Sequence, residues 1–259
     1  MNTENTVSIL EMETNSNENQ LEARKKLQYL FQNHALPIDE LMSNFGLFTR
    51  GSVLVKTLVL NEIYQKILSV PGWIVEFGSW WGQNLIMFEN LRAIHEPFNK
   101  TRKIIGFDTF EGYQGQGEFD SDGLVIKTGN YAVANDYKKF LEILLRTHEQ
   151  CNVLGHNSSG HQIVTGDVRE TAPSFFEENK HSFVALAYFD MGLYEPTKVA
   201  LESIKTHLLP GSVLVFDELT WEEAKGEALA FKEVFVDVDY KIESSLYTPM
   251  RAYVTIVSM

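Results

Sequence analysis

The chain is poor in cysteine, poor in positive charge and without a long apolar run, and each shortage closes off a class of protein. One cysteine, Cys151, stands in 259 residues, so no disulfide can form within the chain and a reducing compartment suits it. Lys and Arg number 22 against 35 Asp and Glu, a net charge of −13. A surface of that sign repels a phosphate backbone, so nucleic acid is not an expected partner. The longest apolar runs are too short and too polar to span a bilayer. The start has no basic segment leading into an apolar one, so no signal peptide is expected. A soluble, cytoplasmic protein is the expectation, with no membrane partner. Hydrophobic residues at 44% suffice for a large core, and the length suits one α/β domain with appendages.

The organising stretch is Ile74-Val75-Glu76-Phe77-Gly78-Ser79-Trp80-Trp81-Gly82. An apolar run with one acid gives way to a glycine-punctuated turn, and a helical pattern starts near Asn84. The order is strand, tight turn, helix, the first βα turn of a doubly wound sheet. Gly78 and Gly82 let the backbone turn sharply and approach a ligand. The spacing is neither G-x-G-x-x-G nor that of a P-loop, which argues against a nicotinamide oxidoreductase and a nucleoside triphosphatase.

Around this turn the chain falls into segments. Residues 1–20, rich in Asn, Glu, Thr and Ser, read as a mobile tail, and 21–70 as an N-terminal helical segment broken at Pro37. Val55, Val59, Ile63 and Ile67 form one row of a helix, widened by Leu58, Leu60, Tyr64 and Leu68. So broad a stripe suits packing on the sheet and makes a homo-oligomer plausible. From residue 71 to 259 strands and helices alternate, which predicts a mostly parallel sheet. Strands are expected at 74–78, 104–108, 161–165, 184–190 and 213–216, with Pro210-Gly211 ending the helix before the last. A C-terminal hairpin, about 240–245 and 252–258, adds an antiparallel edge. An insertion near 113–160 carries a glycine- and acid-rich stretch at 113–133, which reads as a lid or a solvated loop.

Each expected parallel strand brings an acid to its end: Glu76, Asp108, Asp167, Asp190 and Asp217, with Glu218 beside the last. Ligands bind at that edge of such a sheet. Five carboxylates there repel one another unless a ligand donates hydrogen bonds or a cation balances them. Asp108 suits ribose hydroxyls and Asp167 an adenine amine, and helix capping is the alternative for each. Asp190, Asp217 and Glu218 offer oxygen ligands for Mg²⁺ or Ca²⁺, and the absence of His and Cys there speaks against Zn²⁺.

These residues resemble the macrocin-type sugar O-methyltransferases, class I enzymes that use S-adenosylmethionine. The resemblance runs over about 48–235 through Val70-Pro71-Gly72, Ile74 to Gly78 with Gly82, Phe107 to Gly112, Gly166-Asp167 with Glu170-Thr171, and Phe216-Asp217-Glu218-Leu219. Its most specific block is Asp190-Met191-Gly192-Leu193-Tyr194-Glu195-Pro196-Thr197. It implies a Rossmann-like, seven-stranded methyltransferase domain over 71–259. It implies S-adenosylmethionine along Glu76, Gly78, Ser79, Trp80 and Gly82, with Asp108, Thr109, Phe110, Asp167 and Asp190 completing the cofactor site. It further implies Mg²⁺ on Asp190, Asp217 and Glu218, which would also be the catalytic residues, and a small sugar-containing acceptor from natural-product or glycan chemistry. Position 192 is Gly where that block commonly carries an acid, and position 218 is Glu where some relatives have Asp. For the base, Asp217, Glu218, His156 and His161 are candidates, with both histidines more readily solvated surface residues; Arg50 and Tyr194 either line the site or pack. Other readings on the same fold are a silent S-adenosylmethionine-binding partner and a metal-dependent oxygenase-like enzyme.

Overall fold

A computed structural model describes residues 17–113, 117, 119–120, 131–134, 136–152, 160–220, 225–249 and 251–258. Residues 1–16 of the expected tail and most of the expected lid, with His156, lie outside the described residues, whereas Asn17 to Gln20, also expected in the tail, cap and open a helix. Helix α1, Glu18–Gln32, starts at a capping box in which Asn17 and Gln20 exchange side chain-to-backbone bonds. Pro37 precedes the short α2, Ile38–Ser43, and a 3₁₀ turn at Phe45–Phe48 leads into α3, Gly51–Lys66.

The alternation then appears as β1 Trp73–Phe77, α4 Gln83–His95, β2 Ile104–Asp108, α5 Tyr137–Asn152, β3 Gln162–Thr165, α6 Val168–Glu178, β4 Val184–Phe189, α7 Tyr194–Lys205, β5 Leu208–Phe216 and α8 Gly226–Val234. Strands β6, Asp239–Ser244, and β7, Ala252–Ser258, close the chain. The sheet has seven strands in the order β3-β2-β1-β4-β5-β7-β6, with β7 antiparallel to both neighbours. This is the expected Rossmann-like architecture with its antiparallel hairpin. One expectation fails locally. Pro210 and Gly211 do not terminate α7, which stops at Lys205; they lie inside β5, where the pairing with β4 is irregular between Val184 and Leu186. A proline is tolerated at such an irregularity because the ladder there lacks a regular N–H partner.

Helices cover both faces, as a buried parallel sheet requires. One core joins Val75, Phe107 and Leu214 to Phe175 of α6, Leu201 of α7 and Phe231 of α8. The other joins Ile74, Leu186 and Val213 to Ile63 of α3, Phe88 of α4 and Leu145 of α5. Of the broad α3 stripe, Val59, Leu60, Ile63, Tyr64 and Ile67 are buried, whereas Leu58 and Leu68 stay exposed. No helix among the described residues is long and apolar enough to cross a membrane.

One ladder sets the edge where the acids stand. Phe77 pairs in register with Phe107 and Phe189, and Phe189 with Phe216. Their rings stack at 5.0, 5.1 and 4.9 Å between centroids, and each contact adds about 0.5–1.5 kcal/mol beyond the area it buries. Asp108, Asp190 and Asp217 each follow a rung of this ladder. The sequence therefore delivers the three carboxylates to one level at the end of the sheet.

Candidate active site

A cavity of about 500 Å³ opens along that edge, from β3 across to β5. Gly78, Trp80, Asp108, Thr109 and Asp167 line one end, and Asp190, Asp217 and Glu218 the other. Glu76, Ser79, Gly82 and Phe110, also expected at the cofactor, are not among the residues that line the cavity.

Gly78 has φ +89, and a Cβ there would meet the Asp190 carbonyl oxygen at 2.2 Å. Only glycine permits this approach of the β1 turn to the end of β4. Gly82 has φ +73 at the start of α4, and a Cβ there would strike Leu141 of α5. Asp108 ties the two turns together: it accepts from the Trp80 N–H at 2.7 Å and from the Phe110 N–H at 2.6 Å. Trp80 and Phe110 both hold positive φ, 47° and 60°, a strained conformation for such side chains that this shared carboxylate helps to hold. Burial raises the Asp108 carboxyl above its ordinary value, against the lowering by these backbone bonds. The Thr109 hydroxyl donates to the Gly112 carbonyl and closes the β2 turn. The Trp80 indole N–H is buried without a partner among the described residues.

Glu76 is 1% exposed. Asn84 donates to one of its oxygens at 2.6 Å, and the other has no partner among the described residues. Burial pushes this carboxyl up to about 8, against the pull of Lys56 and Asn84. Asp167 caps α6 by accepting from the Arg169 N–H, and the Arg169 guanidinium grips both its oxygens. That ion pair holds the Asp167 carboxyl below the ordinary range. The capping alternative is thus realised while the residue still faces the cavity.

At the other end, burial and then the Asp217 charge push Asp190 up to about 7. Glu218 is pushed up to about 8 by burial and then by Asp190 and Asp217, and its Oε2 is buried without a partner among the described residues. Asp217 differs. Tyr188 donates its hydroxyl to Oδ1 at 2.7 Å, Arg251 Nε donates to the same oxygen, and Arg251 Nη2 reaches Oδ2 at 3.2 Å. Burial opposes its charge, but these partners outweigh burial and keep the carboxyl below its usual value. Among the described residues no three His, Cys, Asp or Glu side chains are grouped to hold a metal ion. With Asp217 committed to a guanidinium, the expected Mg²⁺ ligands do not form a divalent-cation site in this arrangement.

Sequence reasoning missed several residues here. Lys56 reaches the cavity from α3, while Tyr113 and Tyr131 line it from the insertion. Arg251 comes from the hairpin. Phe216 pairs with Ala252, so the next residues outward, Asp217 and Arg251, face each other. Glu227 of α8, fully buried, accepts from the Met191 and Gly192 N–H groups at 3.2 and 3.1 Å. The base candidates narrow as well. The His161 side chain is 4% exposed rather than solvated, with Nδ1 accepting from the Ile104 N–H and Nε2 facing Glu89 at the opposite end of β2 and β3. The Tyr194 hydroxyl points away to Glu233 and Lys198, and Arg50 serves at the start of α3.

A glycine turn after the first strand, an aspartate after the second and a cavity across the carboxyl edge of this sheet are the layout of a class I S-adenosylmethionine-dependent methyltransferase. A family model described as a methyltransferase domain matches residues 75–219. The crystal structure of CalS11, the calicheamicin methyltransferase, is 35% identical over 96% of this chain and 97% of its own, with a TM-score of 0.87. An apo structure of CalS11, described as a TDP-rhamnose 3′-O-methyltransferase of calicheamicin biosynthesis, is 34% identical over 96% and 99%, with a TM-score of 0.81. The O-methyltransferase NovP, at 17% identity over 78% of this chain and 80% of its own with a TM-score of 0.57, shares the fold. No curated protein matches the chain. The chain belongs to the methyltransferase-domain family, among the sugar O-methyltransferases of the class I, S-adenosylmethionine-dependent type.

Proposed function

We propose that the enzyme methylates a hydroxyl of a sugar carried on a nucleoside diphosphate. The observation that carries this reading is one continuous cavity with a glycine-and-aspartate cradle at one end and an acid group with a lysine at the other. The sugar nucleotide named for CalS11 supports that acceptor class.

Bound S-adenosylmethionine would supply an electrophilic methyl group on a sulfonium. The residues present fit it: Gly78 leaves the backbone bare where a Cβ would clash, and Asp108 and Trp80 line the same space. Asp108 would take the ribose hydroxyls and Asp167 would stand near the adenine. Asp190 would sit between cofactor and acceptor, since its carbonyl touches Gly78 and its side chain lines the acceptor end.

The chain's main task is then alignment, which alone lowers a displacement barrier by several kcal/mol, about 7–11 at best. In that alignment the acceptor oxygen would form its bond to the methyl carbon as the carbon–sulfur bond breaks, the electron pair staying on sulfur. The hydroxyl proton passes to a wall carboxylate. Glu218 is the base of choice because its Oε2 has no partner among the described residues and Asp217 is committed. The test is methyl transfer from S-adenosylmethionine to a panel of nucleoside diphosphate sugars, TDP-rhamnose included, with products read by mass spectrometry. Methylated sugar nucleotide supports the reading; methylation of free or aglycone-linked sugars alone refutes the nucleotide-linked acceptor.

A further inference from the structure

The acid group after β4 and β5 brings its own cations. Arg251 uses two of its nitrogens on Asp217, and Tyr188 adds a third donor, so three of that carboxylate's roughly four lone-pair sites are filled. A forked guanidinium–carboxylate pair is the strong, geometrically fixed form of this contact. A divalent ion on Asp217 would have to displace the guanidinium or sit against its charge. Nor does position 192 supply a substitute ligand, and the further acid of that block, Glu195, lies toward Arg169 at the Asp167 end of the cavity. Position 192 is glycine, and the 191–192 amides turn inward to Glu227 rather than toward the cavity.

Lys56 is the second cation. It stands on α3, outside the strand-and-turn motifs, yet lines the cavity with Asp190, Asp217 and Glu218. Its charge acts on Glu76, Asp190 and Asp217. Among the described residues no hydrogen bond or ion pair ties up its ammonium. Three N–H donors on a compact charge suit an oxygen that turns anionic as it loses its proton.

We infer that the acceptor end works with these two protein cations in place of a divalent metal: Arg251 fixes Asp217, and Lys56 binds the acceptor oxygen and stabilises its developing charge. This assignment rests on the proposed sugar-hydroxyl reaction, but its cation half can be tested without any acceptor. Mn²⁺ is titrated into the purified full-length protein and followed by electron paramagnetic resonance. The expected result is Mn²⁺ that stays free up to about 1 mM, weaker than even a low-affinity carboxylate site. One Mn²⁺ bound per chain below about 100 µM, and lost in Asp190→Asn, overturns the inference whatever the acceptor proves to be.

The lysine half is read by kinetics with EDTA present. Lys56→Met is expected to lower kcat about 100-fold, the scale of a lost preorganised donor, with S-adenosylmethionine affinity and Tm unchanged. Lys56→Arg, which keeps the charge, is expected to recover much of that loss. A Lys56→Met enzyme at wild-type rate, or one whose defect is in cofactor affinity, overturns the role. Activity abolished by EDTA and restored by Mg²⁺ overturns it too. If no sugar is methylated by the wild type, the proposed function fails while the Mn²⁺ result still decides the metal question.

Discussion

The two ends of the cavity are built differently. The end proposed for the cofactor comes from residues close in sequence: Gly78, Trp80 and Gly82 in one turn, and Asp108 with Thr109 in the next. Backbone N–H groups and glycine conformations do the work, so the site is a property of two short motifs. The acceptor end is assembled from distant parts. Asp190 and Asp217 arrive on neighbouring strands, Lys56 on an N-terminal helix, Arg251 on the hairpin and Glu227 on α8. What holds the two ends at one level is the Phe107-Phe77-Phe189-Phe216 ladder. The lesson is that a cofactor shared by many relatives can be read by a local turn, whereas an acceptor particular to one enzyme is met by side chains that only the topology brings together.

The largest effect should come from breaking the ladder where the halves join. Phe189→Ala removes a fully buried ring and is expected to cost about 3–5 kcal/mol of stability. Cofactor binding and turnover should fall together, as urea unfolding and calorimetry on the same preparation would show. Loss of one without the other would mean that the ends are held independently.

Next, Glu218→Gln should separate the ends. A fall in kcat of about 100-fold or more, with cofactor affinity unchanged, is expected for a lost base. Because burial holds the Glu218 carboxyl up near 8, the wild-type rate should rise with pH through that value, and the variant should lose that limb. A wild-type rate that is flat from pH 6 to 9 would contradict the assignment.

On the cofactor side, Asp108→Asn keeps the size but removes an acceptor from the pair of turns. Since a bond to a charged group is worth about 1.5–3 kcal/mol, cofactor affinity should drop about 10- to 100-fold, read by quenching of tryptophan fluorescence. The rate at saturating cofactor should change little.

A pH effect on stability is expected as well. The folded Glu76 carboxyl lies near 8, above its unfolded value, so the native state holds a proton that the unfolded chain releases. That contribution is complete below about pH 4 and is lost as pH rises through about 8. Thermal melts of the ligand-free protein should show a decline over that window that Glu76→Gln flattens. The least effect is expected from Arg169→Ala. Its pair with Asp167 is partly exposed, and stability should change by no more than about 1 kcal/mol in urea titrations.

Much of the fold was legible because the sequence carries it locally. The apolar runs at 74–77, 104–107 and 184–189 are long enough to need burial on both faces, and an acid or glycine ends each. Those same strand ends pointed to Gly78, Asp108 and Asp190. Pro210-Gly211 misled because a proline usually stops an element, and nothing local shows that it sits at an irregular pairing of β5 with β4. His161 looked solvated because its partner, Glu89, is 72 positions away. Lys56 was hidden within an apolar helical stripe, where one lysine reads as the solvent face. Arg251 needed the register of an antiparallel pair: the hairpin could be anticipated from the sequence, but not that Ala252 would sit opposite Phe216.

The central claim is that one cavity holds a motif-built cofactor site and a separately assembled acceptor site. Its most direct test is parallel calorimetric titration of S-adenosylmethionine into wild type, Asp108→Asn and Glu218→Gln, with turnover measured on the same samples. The account predicts that wild type and Glu218→Gln bind the cofactor alike, that Asp108→Asn binds it weakly, and that only Glu218→Gln loses turnover at saturating cofactor. Cofactor binding that weakens equally in both variants, or that is absent from the wild type, would contradict it.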